Sequence, residues 1–105
     1  MYTVITKLMK EIIMVNRVDI KKWNEEIDNY LKSITKELKN KRKELKITQE
    51  QVNRDLKLHR TWLSAFENGK MESHKIENII LLCKYYDYPF YELLLKVRKG
   101  YDQNV

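Results

Sequence analysis

Apolar residues recur along most of the chain at spacings of three and four, the period of an amphipathic α-helix. Over residues 1–16 this stripe consists of Ile5, Leu8, Ile12 and Val15. The pattern predicts a short packing helix. A strand that begins in the run VITKL is the alternative, because β-branched residues favour strands.

A longer stripe follows Asp19, a residue type that caps helix N-termini, and extends to Lys46. It predicts one long helix, or two helices joined near Ser33. Three isoleucines of the stripe are seven residues apart, which permits a short coiled-coil seam, but Lys41 occupies the next position of that series. Self-packing and dimerisation therefore stay equal alternatives for this surface. The apolar positions are Ile20, Trp23, Ile27, Tyr30, Leu31, Ile34, Leu38 and Leu45.

Two short helices are predicted in the stretch ITQEQVNRDLKLHRTWLSAFENGK, residues 47–70. Thr48 can cap the first of them, because its side-chain oxygen can accept from the unpaired amides of the first turn. Gln51 stands three residues on, as the partner of a capping box. Val52 and Leu56 are the inward positions of this helix.

The run Lys57-Leu58-His59 is the only candidate turn before the second short helix. In that helix, Leu63 and Phe66 are expected to face the core. Asn68 and Gly69 should end it, because both tolerate the left-handed backbone of a C-terminal cap.

Two further helices complete the pattern. Ser73 is expected to cap the first, and Pro89 fits the first turn of the second. Residues 100–105 are predicted to be a frayed polar tail. The inward or apolar positions are Ile76, Ile79, Ile80, Leu82 and Cys83 in the first helix, and Phe90, Leu93 and Leu94 in the second.

Helix breakers are scarce, since the 105 residues include two glycines and one proline. We therefore predict an all-α protein of one domain. Residues 1–33 form an N-terminal helical extension, residues 34–95 the main domain, and residues 96–105 a basic flexible tail.

The N-terminal apolar stripe is interrupted by Lys7, Lys10 and Glu11, which argues against a signal peptide or a membrane span. A basic helix lying on a membrane surface is the alternative there. A cytoplasmic protein is expected, and a lone Cys83 fits a reducing compartment.

Basic residues exceed acidic ones, giving a net charge of +6 and a pI of about 9.4. Residues 36–46 hold six basic side chains against two acidic ones, a local excess of four. Such a surface suits a polyanion, or only keeps the protein soluble. His59 and His74 lie too far from other metal-ligating residues to predict a metal site. We predict no cofactor and no enzyme activity, since no catalytic arrangement or glycine-rich phosphate loop is present.

From Ile34 to Leu94 the sequence resembles the phage-repressor and Cro type of helix-turn-helix, also called the XRE type. The resemblance implies a five-helix, lambda-repressor-like domain that binds double-stranded DNA with its third helix in the major groove. The matching segments are, in order, Leu45–Glu50, Val52 and Leu56, Leu58, Leu63 and Phe66, Glu67–Lys70, Ile76–Cys83 and Phe90–Leu94.

The resemblance also implies DNA contacts, with the third helix beginning near His59. A guanidinium can bond guanine, hydroxyls are adaptable, and a methyl can touch thymine. Glu67 is expected to be structural, paired with a basic partner on helix one or two, and Trp62 could cover helix two instead of contacting DNA. The expected base contacts are Arg60, Thr61, Ser64 and Ala65, and the expected phosphate contacts are Gln49, His59, Trp62, Asn68, Lys70 and Lys43.

Two residues depart from the family pattern. Asn53 stands where a small alanine is usual, at the close contact of helices two and three, and Lys57 stands where glycine is usual. A lysine with positive φ costs on the order of 1 kcal/mol relative to glycine. Asn53 could tilt helix three or hydrogen-bond the turn.

The implied function is a transcriptional regulator, a repressor of a bacterial, phage or mobile-element promoter. It would act as a homodimer on a palindromic operator and be nucleoid-associated. The N-terminal extension is expected to provide the dimerisation surface or to bind a protein partner. The alternative is an antitoxin or another protein-interaction module in which the helix-turn-helix is ancillary.

Overall fold

A computed structural model of the protein describes residues 18–69 and 75–103, with side chains as far as residue 100. The chain over these ranges is all-helical, which confirms the predicted fold class. The predicted helix over residues 1–16 and the predicted cap at Ser73 lie outside the described residues. The five helices are α1 (Ile20–Glu44), α2 (Gln49–Asp55), α3 (Trp62–Glu67), α4 (Ile76–Tyr85) and α5 (Phe90–Gln103).

Helix α1 is one continuous helix of 25 residues. Asp19 caps it as predicted, since its carboxylate accepts a hydrogen bond from the Lys22 N–H at 3.0 Å. The helix ends at Glu44 rather than at Lys46, because Lys46 has a φ of 58°, outside the right-handed helical region. Among the described helices, none is both long and apolar enough to cross a bilayer.

The hydrophobic core lies between the C-terminal half of α1 and the four shorter helices. Helix α1 packs against α3 and α5, and α2 packs against α3. Helix α3 is therefore held from two sides. The buried apolar residues are Ile34, Leu38, Val52, Leu63, Phe66, Ile79, Leu82, Cys83, Tyr86, Tyr88, Leu93 and Val97.

The last two helices differ from the sequence-based expectation in two ways. Ile76 and Leu94, predicted to face inward or to be apolar packing positions, are 56% and 42% exposed. Helix α5 continues to Gln103 and buries Val97, so residues 96–103 are helical rather than a flexible tail.

The N-terminal half of α1 differs from the rest of the protein in burial. Every residue from 18 to 30 is exposed, whereas Ile34 and Leu38 lie in the core. The long apolar stripe is thus divided: its second half packs on the domain and its first half faces solvent.

Candidate nucleic-acid interface

Helices α2 and α3 are joined by a tight turn over residues 56–61. Thr48 caps α2 as predicted, accepting a hydrogen bond from the Gln51 N–H at 3.1 Å. At the other end of α2, Lys57 has a φ of 55°, which confirms the positive φ expected there. The Lys57 and Leu58 amides then bond back to α2 carbonyls at 3.2 and 2.7 Å. This pair of bonds is the Schellman pattern, which reverses the chain after a helix.

Asn53 is buried at the contact of α2 and α3, with 4% of its surface exposed. Its Nδ2 donates to the Arg60 carbonyl oxygen at 3.0 Å, and its Oδ1 accepts from the Leu63 N–H at 3.2 Å. The Leu63 amide is one of the first amides of α3, which have no partner within the helix. Asn53 therefore hydrogen-bonds the turn, one of the two expectations for it, and also ties α2 to the first turn of α3.

Helix α3 begins at Trp62, and the prediction that it begins near His59 is wrong. Thr61 occupies the N-cap position but makes no capping hydrogen bond to the helix. Instead, its N–H donates to His59 Nδ1 at 3.3 Å, and its hydroxyl lies 2.9 Å from the same nitrogen. Arg60 and Thr61 consequently belong to the turn before the helix.

The four predicted base-contacting side chains are all at least partly accessible. Arg60 and Thr61 are exposed, and Ser64 and Ala65 are half-buried on α3. The Thr61 carbonyl accepts from the Ala65 N–H at 3.0 Å, so these two residues are one helical turn apart on one side. The structure thus brings the four positions together around the first turn of α3.

Trp62 is half-buried, and its indole ring stacks on the Phe66 ring with centroids 5.4 Å apart and planes 7° apart. It packs against the buried core. Trp62 covers the edge of the core and keeps part of its ring accessible.

Glu67, at the end of α3, is 9% exposed and faces α1. Arg42 Nε and Nη2 donate to its two carboxylate oxygens at 2.7 and 2.9 Å, and Gln49 Nε2 donates to one of them at 2.9 Å. Arg42 Nη1 also donates to the Ile47 carbonyl at 2.9 Å. Its hydrogen bond to Glu67 raises the pKa of Arg42, although burial acts in the opposite direction. The predicted structural role of Glu67 is confirmed.

This network changes the picture of the basic segment over residues 36–46. Arg42 is buried and paired with Glu67, so its charge is not available to a ligand.

The predicted phosphate contacts differ in accessibility. Gln49 donates one side-chain N–H to Glu67, and its second N–H and its carbonyl oxygen can still bind a ligand. Lys43, Asn68 and His59 are exposed, as a phosphate contact requires. Lys70 lies outside the described residues.

The structural role of Arg42 was not predicted from the sequence, in which it is one of six basic residues between positions 36 and 46. A signal was present, since Arg42 continues the spacing of Ile34 and Leu38 by a further four residues and therefore lies on the buried face of α1. A basic residue in register with a core stripe indicates a buried ion pair, because an unpaired charge there would be costly.

The all-helical fold and the α2–turn–α3 unit, with α3 tied at both ends, define a helix-turn-helix protein. A family model described as a helix-turn-helix domain matches residues 35–99. This is more than half of the chain, so the protein belongs to that family, a helix-turn-helix domain of the XRE/Cro kind. No curated protein and no solved structure matched the chain. The domain indicates a DNA-binding regulator, and the family is typically non-enzymatic.

Proposed function

We propose that the protein is a sequence-specific repressor of a bacterial, phage or mobile-element promoter. The observation that supports this most directly is the anchoring of α3 at both ends. Asn53 holds its first turn, and the Arg42–Glu67 pair holds its last. A segment with a fixed backbone and accessible polar side chains loses little freedom on binding, which favours docking in the major groove.

Base contacts are assigned to the turn that precedes α3 and to the first turn of α3 itself. Arg60 has the donor geometry to bond O6 and N7 of a guanine at once. Thr61 and Ser64 can each donate to or accept from a base edge, and the Ala65 methyl can contact a thymine methyl. Because Arg60 precedes α3, it would reach the groove from the N-terminal end of the helix.

Phosphate contacts are assigned to side chains on both sides of this segment. Such contacts fix the position of the protein on DNA without selecting a sequence, and they make binding depend on salt. Gln49 hydrogen-bonds Glu67, so its remaining N–H lies near the C-terminal end of α3. The proposed residues are Gln49, His59, Trp62, Asn68, Lys70 and Lys43.

The proposal is tested by selecting duplexes from a randomised pool with the full chain. We expect enrichment of one sequence, stronger binding to it than to a scrambled duplex, and weaker binding as salt rises from about 50 to 200 mM. Equal binding to the selected and scrambled duplexes would contradict sequence-specific recognition. Absence of any salt-sensitive binding would contradict DNA binding itself.

A protein-interaction module, such as an antitoxin, is the second candidate. The exposed apolar residues in the first half of α1 favour it, because such a surface can bind another protein. A different protein that co-purifies with the chain in a fixed ratio, combined with no salt-sensitive DNA binding, would support this function over the first.

A further inference from the structure

We propose that His59 fixes the hydroxyl group of Thr61 as a hydrogen-bond acceptor, so that Thr61 recognises the exocyclic amino group of an adenine or a cytosine. The choice of base rests on the proposed function, in which Thr61 contacts a base edge. The structural basis is a pair of contacts at one ring nitrogen. His59 Nδ1 accepts from the Thr61 backbone N–H at 3.3 Å and lies 2.9 Å from Thr61 Oγ1. Both side chains are exposed.

The direction of these hydrogen bonds follows from the backbone N–H, which can only donate. Because it donates to His59 Nδ1, that nitrogen has a lone pair and no proton. The Thr61 hydroxyl, at hydrogen-bond distance from the same nitrogen, must therefore also be a donor to it. The ring proton of His59 is then on Nε2, where it can donate to a DNA phosphate, the contact proposed for His59 above.

Thr61 consequently has acceptor capacity for a ligand but no proton to donate. Its N–H and its hydroxyl proton are both used on His59. Its carbonyl oxygen accepts from the Ala65 N–H at 3.0 Å, inside α3. Its hydroxyl oxygen makes no capping hydrogen bond to the helix, so the lone pairs of this oxygen can accept from a ligand.

The backbone on both sides of Thr61 is held in place, which fixes the position of the hydroxyl. The His59 carbonyl accepts from the Trp62 N–H at 2.9 Å, and the Arg60 carbonyl accepts from Asn53 Nδ2 at 3.0 Å. A hydroxyl without a partner can rotate its proton toward a ligand and so serve as donor or acceptor. In Thr61 such a rotation would break the hydrogen bond to His59, which favours the acceptor state.

The base edges of the major groove differ in what they offer to an acceptor. Adenine N6 and cytosine N4 carry amino groups that donate, whereas guanine O6 and N7 and thymine O4 only accept. The Thr61 hydroxyl oxygen would bind an amino group, but it would face a guanine or thymine oxygen as one acceptor against another. We therefore expect the hydroxyl of Thr61 to depend on the amino group of one base pair in the selected sequence.

The test begins with duplexes selected from a randomised pool by the full chain. Thr61→Val, which lacks the hydroxyl, locates the contact as the base pair at which this variant relaxes the selected sequence. The amino group of that pair is then removed, with purine in place of adenine or 2-pyrimidinone in place of cytosine. Wild type should bind the altered duplex roughly two- to tenfold more weakly, the effect of one hydrogen bond, and Thr61→Val should show no such loss.

Two substitutions of His59 test whether it sets the polarity of the hydroxyl. His59→Ala frees the hydroxyl to rotate and should remove most of the sensitivity to the amino group. His59→Asn should retain the sensitivity, because an asparagine side-chain oxygen accepts from the N–H two residues further on, as Nδ1 does here. Circular dichroism must show that the variants fold.

Three results would overturn the proposal and leave sequence-specific binding standing. They are a selected sequence that Thr61→Val does not relax, a wild type that tolerates loss of the amino group, and a His59→Ala variant as sensitive to that loss as wild type. Equal weakening of both duplexes by His59→Ala is the last of these, since it is the result of a phosphate contact alone. A wild type that selects no sequence would instead overturn the proposed function, and base recognition by Thr61 with it.

The polarity of the hydroxyl is tested without DNA by the nitrogen chemical shifts of His59 at about pH 8, where an imidazole is neutral. The chain has two histidines, so the signals that His59→Ala removes are those of His59. We expect the ring proton on Nε2 and none on Nδ1. A proton on Nδ1 would overturn the proposal whatever the DNA measurements show.

Discussion

The side-chain amide of Asn53 donates a hydrogen bond to the backbone carbonyl of Arg60, 3.0 Å away. The bond joins α2 to the residue proposed to contact bases. The same side chain accepts from the Leu63 N–H, so one buried residue sets both the turn and the start of α3. The direction in which the Arg60 side chain projects from the surface therefore depends on Asn53.

Replacing Asn53 should destabilise the protein although a smaller residue fits the space. Asn53→Ala leaves the buried Leu63 amide without its partner, and we expect the free energy of unfolding in urea to fall by about 1–3 kcal/mol. Arg54→Ala is the control, because it lies at the neighbouring exposed position of α2 and removes no buried hydrogen bond. A stability of Asn53→Ala equal to wild type would show that these bonds contribute nothing.

Three described helices end in the same way, at a non-glycine residue with positive φ: Lys46 (58°), Lys57 (55°) and Asp87 (53°). Glycine adopts this backbone without the clash of a Cβ, so Lys57→Gly should raise the free energy of unfolding by about 1 kcal/mol. Lys57→Ala removes the side chain but keeps the Cβ, and should give no comparable gain. Equal stabilisation by both variants would show that backbone strain is not the cause.

The Arg42–Glu67 pair should contribute far more to stability than an ion pair on the surface. Glu67→Gln leaves a buried arginine without a counter-charge, and we expect a loss of about 3–5 kcal/mol. The control is Glu44→Gln, because the Lys41–Glu44 pair spans 3.9 Å and the Glu44 side chain is 72% exposed. That change should cost at most about 1 kcal/mol.

Replacing both partners of the buried pair, Arg42→Met with Glu67→Leu, should recover much of the loss, because no unpaired charge remains. Equal, small effects of Glu67→Gln and Glu44→Gln would contradict the special role of the buried pair.

Stability should also decline at alkaline pH through Tyr88. Burial raises the pKa of Tyr88 from 10.0 to about 12, and the negative charge and hydrogen bond of Glu37 add to the effect. The folded state thus favours the neutral phenol, so its contribution is complete below pH 10 and is lost as the pH rises to about 12. Urea unfolding across this range should show a smaller decline for Tyr88→Phe than for wild type. Parallel curves for the two proteins would refute the contribution of Tyr88.

Periodicity predicted the five helices because each buries one apolar stripe, as Ile34 and Leu38 do on α1. It could not predict what covers a stripe, and therefore left the exposure of Ile20 and Ile27 open. It also missed the helix beyond residue 96, since a single Gly100 weakens a helix by only about 1 kcal/mol and Val97 packs on the core.

The positions of the candidate site were predictable from the sequence, but the start of the helix that carries them was not. The family resemblance placed the four base-contact positions around α3, and the structure leaves them accessible. The start of α3 was not predictable, because a tertiary hydrogen bond from Asn53, rather than a local capping residue, satisfies the Leu63 amide. The DNA contacts themselves stay predictions.

The most direct test of DNA recognition compares Arg60→Ala with wild type on the selected duplex and on a scrambled duplex at one salt concentration. Loss of a bidentate guanine contact should weaken binding to the selected duplex roughly tenfold or more and leave binding to the scrambled duplex almost unchanged. Lys32→Ala, an equal loss of charge on the exposed half of α1, should affect both duplexes slightly and equally. Equal losses on both duplexes for Arg60→Ala, or no loss at all, would contradict the proposal that this segment selects the DNA sequence.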